Sequence, residues 1–199
     1  VNEGGRVALN DLKALLDDTV GLVAVMAVNN ETGARFAVDD MAEEVHEIAP
    51  QAIFHTDCVQ AAGKVALKAD RWGVDLLSVS SHKVHGPKGC GALYVKDKRR
   101  LRARQLGGGQ EQFLRSGTEA LPAIVGFGAA AAQAVPFAEQ QAHYERLRTI
   151  LCEELRALPQ VRLHLPPQGV PYIVNLSVVG HPSETLVNFL SDKGIYVSA

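Results

Sequence analysis

A chain of 199 residues is one large domain or a domain and a half, with ~150 residues per domain as the prior. Hydrophobic residues at 47% and charged residues at 21% are ordinary globular usage and exclude disordered and fibrous classes. Twenty basic against twenty-two acidic residues leave a formal charge of −2, so no global charge draws the chain to nucleic acid or an anionic membrane. No window approaches the ~20 uninterrupted apolar residues of a membrane span. The opening Val1-Asn2-Glu3 lacks the basic and apolar segments of a signal peptide. The three cysteines, Cys58, Cys90 and Cys152, are odd in number and far apart, which argues against a disulfide framework and for a reducing compartment. The expectation is a soluble cytoplasmic protein, with no membrane and no direct nucleic-acid partner.

In chain order, Leu22 to Val28 is a continuous apolar run ending at Asn29-Asn30-Glu31, as a strand buried on both faces reads. Val38, Met41, Ala42, Val45 and Ile48 fall at helical spacing, with acids at the start to suit the helix dipole, and Pro50 closes the helix. Ala52 to Thr56 leads as a short strand into Asp57. Asp75 to Ser80 is another strand, ending in Ser-Ser-His-Lys, and Gly91 to Val95 a further one entered from a Gly/Pro-rich turn. Strands alternating with helices predict an α/β architecture with a largely parallel sheet.

After Ser116 the composition changes. Ala120 to Leu158 is Ala-rich and reads as one long helical region, with Pro122 and Pro136 as candidate kinks. A strand at Val161 to Leu163, a Pro/Gly turn, a strand at Tyr172 to Val178, a helix at Ser183 to Lys193 and a final strand at Ile195 to Ser198 follow. This tail reads as the start of a smaller α+β domain. The boundary is placed at residue 135, giving units 1–135 and 136–199, both ends of the chain reading as cut.

Four strand-end or loop motifs carry candidate chemistry. Ser80-Ser81-His82-Lys83 stands where open α/β sheets bind ligands, outside the carboxyl ends of strands. A lysine there, flanked by hydroxyl and imidazole, suits a Schiff base to a phosphorylated aldehyde cofactor. Taken alone, Lys83 reads first as a surface lysine on a turn, since exposed lysine is common. His55-Thr56-Asp57-Cys58-Val59-Gln60 offers Asp57 as the carboxylate a pyridine nitrogen needs, or as a plain helix cap, with Gln60 as a donor to a ring oxygen. Asn29 and Asn30 offer amides to a ring or a carboxylate, or make an ordinary turn. Gly107-Gly108-Gly109 and Thr118 offer backbone N–H groups and a hydroxyl to a phosphate, or form a flexible loop.

Together these motifs resemble the cysteine desulfurase family, within the class V aminotransferases of fold-type I. The resemblance rests on "MAVNNETG", "HTDCVQAAGK", "DLLSVSSHKVHGPKGCGALYV", "GGGQE", "RSGTEALPAIVGFG" and "PYIVNLS". It implies an α/β fold: part of a large pyridoxal-phosphate domain with a mostly parallel sheet, then the start of a small C-terminal domain. It implies Lys83 as the Schiff-base lysine and later proton shuttle, with His82 beside it. Asp57 would face the pyridine nitrogen, Gln60 the phenolic oxygen and Asn30 the ring and substrate. Ser80 and His82 would hold the phosphate, and Thr118 the phosphate of the other subunit of a homodimer. The implied substrate is L-cysteine, converted to L-alanine with sulfur passed as a persulfide to an acceptor protein, an iron–sulfur scaffold or a tRNA-thiolation enzyme. The alternative reading of the same motifs is a selenocysteine lyase or another class V enzyme.

The resemblance implies that the family's sulfur-accepting cysteine lies after the segment matching Gly194 to Ala199, so the chain by itself is expected to be inactive; the alternative from another class is a non-catalytic fragment, a folding or interaction module. Cys58, Cys90 and Cys152 do not stand at that position and are expected to be buried, inert thiols. No metal site is expected. Lys96, Lys98, Arg99, Arg100, Arg102 and Arg104 form a basic run without interleaved aromatics. It reads as a solvated segment rather than a nucleic-acid surface, with an acidic partner protein as the other reading.

Overall fold

The structure, a computed structural model, describes residues 5–133 and 137–199. β1 (Leu22–Met26), β2 (Ile53–Asp57), β3 (Leu76–Ser80) and β4 (Gly91–Val95) form one sheet in that order. β1, β2 and β3 are mutually parallel, with Met26 opposite Asp57 and Asp57 opposite Ser78. The connections run through α2 (Val38–Ile48) and α3 (Ala69–Trp72). β4 departs from the pattern and runs antiparallel to β3. Only residues 81–90 with a single 3₁₀ turn join them, too little chain for a crossover helix. The sheet is mostly parallel, as the sequence implies.

α2 explains which face of the sheet is covered. Its apolar stripe, Val38, Met41, Ala42 and Val45, is buried and meets the alternate residues Phe54 and Leu77 of β2 and β3 in one core cluster. Phe54 is fully buried; truncating such a side chain to alanine costs about 3–5 kcal/mol. The preceding helix α1 (Leu9–Lys13) adds Leu12 to the same core. Asp75 locks this layer together. It is 8% exposed, its Oδ2 accepts the Phe54 N–H at 2.8 Å, and His46 Nε2 of α2 lies 2.9 Å from the same oxygen. On the other face the described residues leave Leu22 of β1 and Leu93 of β4 exposed.

The Ala-rich region forms two helices, α4 (Leu121–Ala132) and α5 (Phe137–Arg156). Pro136 and the boundary at residue 135 fall outside the described residues. β5 (Val161–His164) and β6 (Asn175–Val178) pair antiparallel. β6 is shorter than the sequence suggests, because Tyr172 and Ile173 turn inward to pack against the main core. α6 (Ser183–Asp192) follows. The expected strand at Ile195 to Ser198 is not formed. Gly194, at φ 78°, ends α6 by donating to Ser191 O while Ile195 N–H donates to Leu190 O, a Schellman cap. Ile195 through Ala199 are exposed and pair with no strand among the described residues.

Candidate active site at the strand ends

Because β1, β2 and β3 are parallel neighbours, their carboxyl ends lie side by side, and three of the sequence motifs meet along that edge. After β1 the chain folds on Asn29, whose Oδ1 accepts the Glu31 and Thr32 N–H groups at 2.9 Å each. Gly33 is required here: its φ is 74°, and a Cβ would lie 2.9 Å from Ile173 Cβ. Asn29 therefore builds the turn, whereas Asn30 is exposed at the edge.

At the end of β2, Asp57 is half-buried. Its Oδ1 accepts the Val59 N–H at 2.8 Å, so the carboxylate does cap the following turn, leaving the side chain as a fixed negative group at the strand end. The Gln60 carbonyl accepts the Tyr172 hydroxyl at 2.8 Å. Cys58 is fully buried, and burial pushes its thiol up to about 11. Cys152 is also buried, but Cys90 is only half-buried, because it stands between Gly89 and Gly91 at the exposed start of β4, a correction to the expected burial.

β3 ends in a tight 3₁₀ turn, Ser81–Val84. Ser81 N–H donates to Cys90 O and Gly86 N–H to Ser81 O, both at 3.0 Å, and His85 takes a left-handed conformation at φ 66°. Space is tight: a Cβ on Gly86 would fall 2.2 Å from Ser81 Oγ. Ser81 Oγ is buried without a hydrogen-bond partner among the described residues. Ser80 Oγ and His82 Nδ1 lie 2.8 Å apart, a hydroxyl–imidazole pair directly before Lys83. Lys83 is half-buried and lines an open cleft of about 450 Å³ with Lys64, His85, Gln133, Gln140 and Tyr144. Asn30, Asp57, Gln60, Ser80, His82 and Thr118 lie outside that cleft's lining.

Thr118 is exposed on a separate loop held by Ser116 Oγ, which donates to Gln105 O at 3.0 Å, and by Gly117 N–H, which donates to Gln110 Oε1 at 3.2 Å. In the same loop Glu111, Gln112 and Phe113 all have φ between 48° and 67°. In the basic run, Arg100 is tied to Asp75 Oδ1 at 3.6 Å and to the Gln51 carbonyl, and Lys98 reaches Gln112 Oε1 at 3.5 Å. It is a largely exposed segment that Arg100 ties to the sheet layer. No cluster of potential metal ligands exists among the described residues, and none of their helices is long and apolar enough to cross a membrane.

Two residues at this site escape sequence reasoning. Lys64 Nζ donates to the Lys83 carbonyl at 3.4 Å and sits 5.3 Å from the centre of the Tyr172 ring. Tyr172 is 112 residues from the Gln60 it bonds, a link only the tertiary fold makes.

An open, mostly parallel sheet with helical connections and a lysine turn at its strand ends places the chain in the α/β class. The chain belongs to the aminotransferase class-V family, which it matches over residues 1–199. It is 41% identical over 199 residues to a mitochondrial cysteine desulfurase of Candida maltosa, covering 96% of this chain and 40% of that protein. It is 38% identical over 202 residues to a cysteine desulfurase of a Nostoc species, covering 100% of this chain and 50% of that protein. A solved NifS-like protein superposes with a TM-score of 0.95 at 38% identity, over 100% of this chain and 55% of that one. The chain thus spans half or less of the length of these curated relatives.

Proposed function

We propose that this chain is part of a pyridoxal-phosphate-dependent cysteine desulfurase that converts L-cysteine to L-alanine and passes the sulfur on as a persulfide. The observation that carries the reading is the tight turn at the carboxyl end of β3, which sets Lys83 directly after the Ser80–His82 pair and beside the end of β2 that carries Asp57. The relatives named cysteine desulfurase support the choice of substrate.

The donor set fits the cofactor. A hydroxyl and an imidazole suit a phosphate, an amine suits an aldehyde, and a carboxylate at the neighbouring strand end suits a pyridinium. Bound there, pyridoxal phosphate supplies an electron sink for carbanion chemistry next to the amino-acid α-carbon. Lys83 is the anchoring amine and, when free, moves the α-proton. Asp57, held by the Val59 N–H, keeps its charge aimed from β2 and favours a protonated ring nitrogen. Gln60 and Asn30 orient the ring and substrate, Ser80 and His82 hold the phosphate, and Thr118 reaches the site of a second subunit. The exposed apolar residues of α4, Leu121 and Val125, support a homodimer. A cytosolic setting and a sulfur-acceptor protein, an iron–sulfur scaffold or a tRNA-thiolation enzyme, complete the proposal.

The test is to load the protein that carries this chain with pyridoxal phosphate, add L-cysteine, and measure alanine and protein-bound sulfane sulfur. Equal amounts of both are expected. Absence of alanine, or alanine formed equally from a substrate without sulfur, overturns the reading.

A further inference from the structure

We infer that Lys64 is a positioning residue, whose ammonium, seated over Tyr172, holds the Lys83 carbonyl and so fixes the turn that carries Lys83. This rests on the reading of Lys83 as the anchoring lysine.

Three independent features place Lys64 for that task. Gly63 has φ 71°, and a Cβ there would meet Val84 Cγ1 at 3.0 Å, so the chain before Lys64 is brought against the lysine turn by a residue that glycine suits. Lys64 Nζ then reaches the Lys83 carbonyl at 3.4 Å, a contact from a cationic donor to a turn that is also held by backbone bonds at Ser81 and Gly86 and by the Ser80–His82 side-chain pair. Tyr172 closes the arrangement from the far side. Its ring lies 5.3 Å from Lys64 Nζ, within cation–π range, its hydroxyl donates to the Gln60 carbonyl at 2.8 Å, and Tyr144 of α5 packs edge-on against it at 5.7 Å. One side chain pair thus connects the exit of β2, the lysine turn and the later Pro171–Ile173 segment.

The surroundings agree. Burial, and behind it the nearby Lys83 charge, hold the Lys64 ammonium below its ordinary value. Burial raises the Tyr172 phenol, which keeps it a hydrogen-bond donor to Gln60. Both groups are committed to the scaffold, since a lysine whose ammonium is spent on a carbonyl and a ring face is not the freely moving amine of the pair.

The experiment compares wild type, Lys64→Met, Lys64→Arg and Tyr172→Leu in the protein that carries this chain. The cofactor-free form is mixed with pyridoxal phosphate, bond formation is followed by visible absorbance, the product is trapped with borohydride, and the modified lysine is mapped by mass spectrometry. Thermal unfolding of each cofactor-free variant is measured alongside. Lys64→Met is expected to slow capture at Lys83 roughly tenfold, the loss of one charge-assisted hydrogen bond. Lys64→Arg, which keeps a cationic donor over the ring, is expected to stay within about threefold of wild type. Tyr172→Leu is expected to slow capture in the same direction. A merely structural role would move the unfolding temperature and leave capture by the folded fraction unchanged. Capture at Lys83 at the wild-type rate in both Lys64→Met and Tyr172→Leu overturns the inference while leaving the Lys83 reading intact. A trapped adduct on another lysine in the wild type overturns both.

Discussion

Val59 and Asp57 are joined by a hydrogen bond of 2.8 Å from the Val59 N–H to Asp57 Oδ1, so one carboxylate both caps a turn and stands at the β2 end where a pyridine nitrogen is proposed to lie. The two roles separate by substitution. Asp57→Asn keeps an oxygen that accepts the Val59 N–H, so stability should change by less than about 1 kcal/mol. An amide cannot hold a ring nitrogen protonated, so kcat should fall at least a hundredfold (roughly the scale of losing a group that acts in the transition state) with cofactor still bound. Asp57→Ala should lose both, adding about 1 kcal/mol of destabilisation. Denaturant unfolding and steady-state turnover measure the pair. Near wild-type turnover in Asp57→Asn would reduce the residue to a cap.

Lys83→Ala should abolish the visible absorbance of lysine-bound cofactor and all turnover. Its turn is held by backbone bonds at Ser81 and Gly86 rather than by the Lys83 side chain, so the variant should fold with unfolding within about 1 kcal/mol of wild type, as for other substitutions away from the core. Borohydride trapping on the wild type should label Lys83. A label on Lys64 or Lys88 contradicts the assignment.

Much of this was legible in the residues. The helix Val38–Ile48 and the strand Gly91–Val95 have the bounds that their apolar spacing and flanking glycines predict, because a single amphipathic stripe or a turn-bounded apolar run determines each. The strand-end placement of Asn30, Asp57 and Lys83 follows from the same alternation. What was not legible depends on distant chain. The antiparallel β4 follows from a short connection, and the residues expected as a strand at Ile195–Ser198 pair with none of the described strands. Tyr172 reads as a strand residue from its neighbours, yet its hydroxyl serves Gln60. No periodicity in either segment announces that bond.

Asp75 offers a stability test away from the proposed chemistry. Its Oδ2 is the acceptor for the buried Phe54 N–H and faces His46 Nε2. Asp75→Leu should therefore strand a buried backbone donor and cost about 2–4 kcal/mol. Urea unfolding reports it, and the midpoint should fall without a change in slope. A loss under about 0.5 kcal/mol, the scale of an ordinary surface change, would show that water replaces the carboxylate.

Gly86→Ala should disrupt the lysine turn more than its size suggests. The added Cβ would sit 2.2 Å from Ser81 Oγ and 3.1 Å from Ser81 O, against a side chain that is fully buried. The turn must open, at a cost of about 1–3 kcal/mol as for other overpacked sites. Ser81→Gly in the same chain should recover most of that loss by removing the hydroxymethyl group. If Gly86→Ala is as stable as wild type, the turn is not packed as described.

Cys58 gives a prediction in alkaline solution. Burial is the main cause that lifts its thiol from 9.0 to about 11 in the folded protein, and the side chain is fully buried beside Thr56. Between these values the unfolded chain releases the thiol proton and the folded chain keeps it. Since stability falls with pH wherever the unfolded state binds fewer protons, the contribution of Cys58 is fully present below pH 9 and declines as pH rises toward 11. Cys58→Ala cannot show this decline, while every other titrating group is common to both proteins. The difference in unfolding free energy, wild type minus Cys58→Ala, should be flat from pH 7 to 8 and then drop by up to about 2 kcal/mol by pH 11. Urea unfolding across that range under reducing conditions measures it. A difference that stays flat to pH 11, or rises, would mean that the thiol is reached by water. In that case Cys58 should also react rapidly with a thiol reagent at pH 8, where the buried, protonated form is expected to be inert.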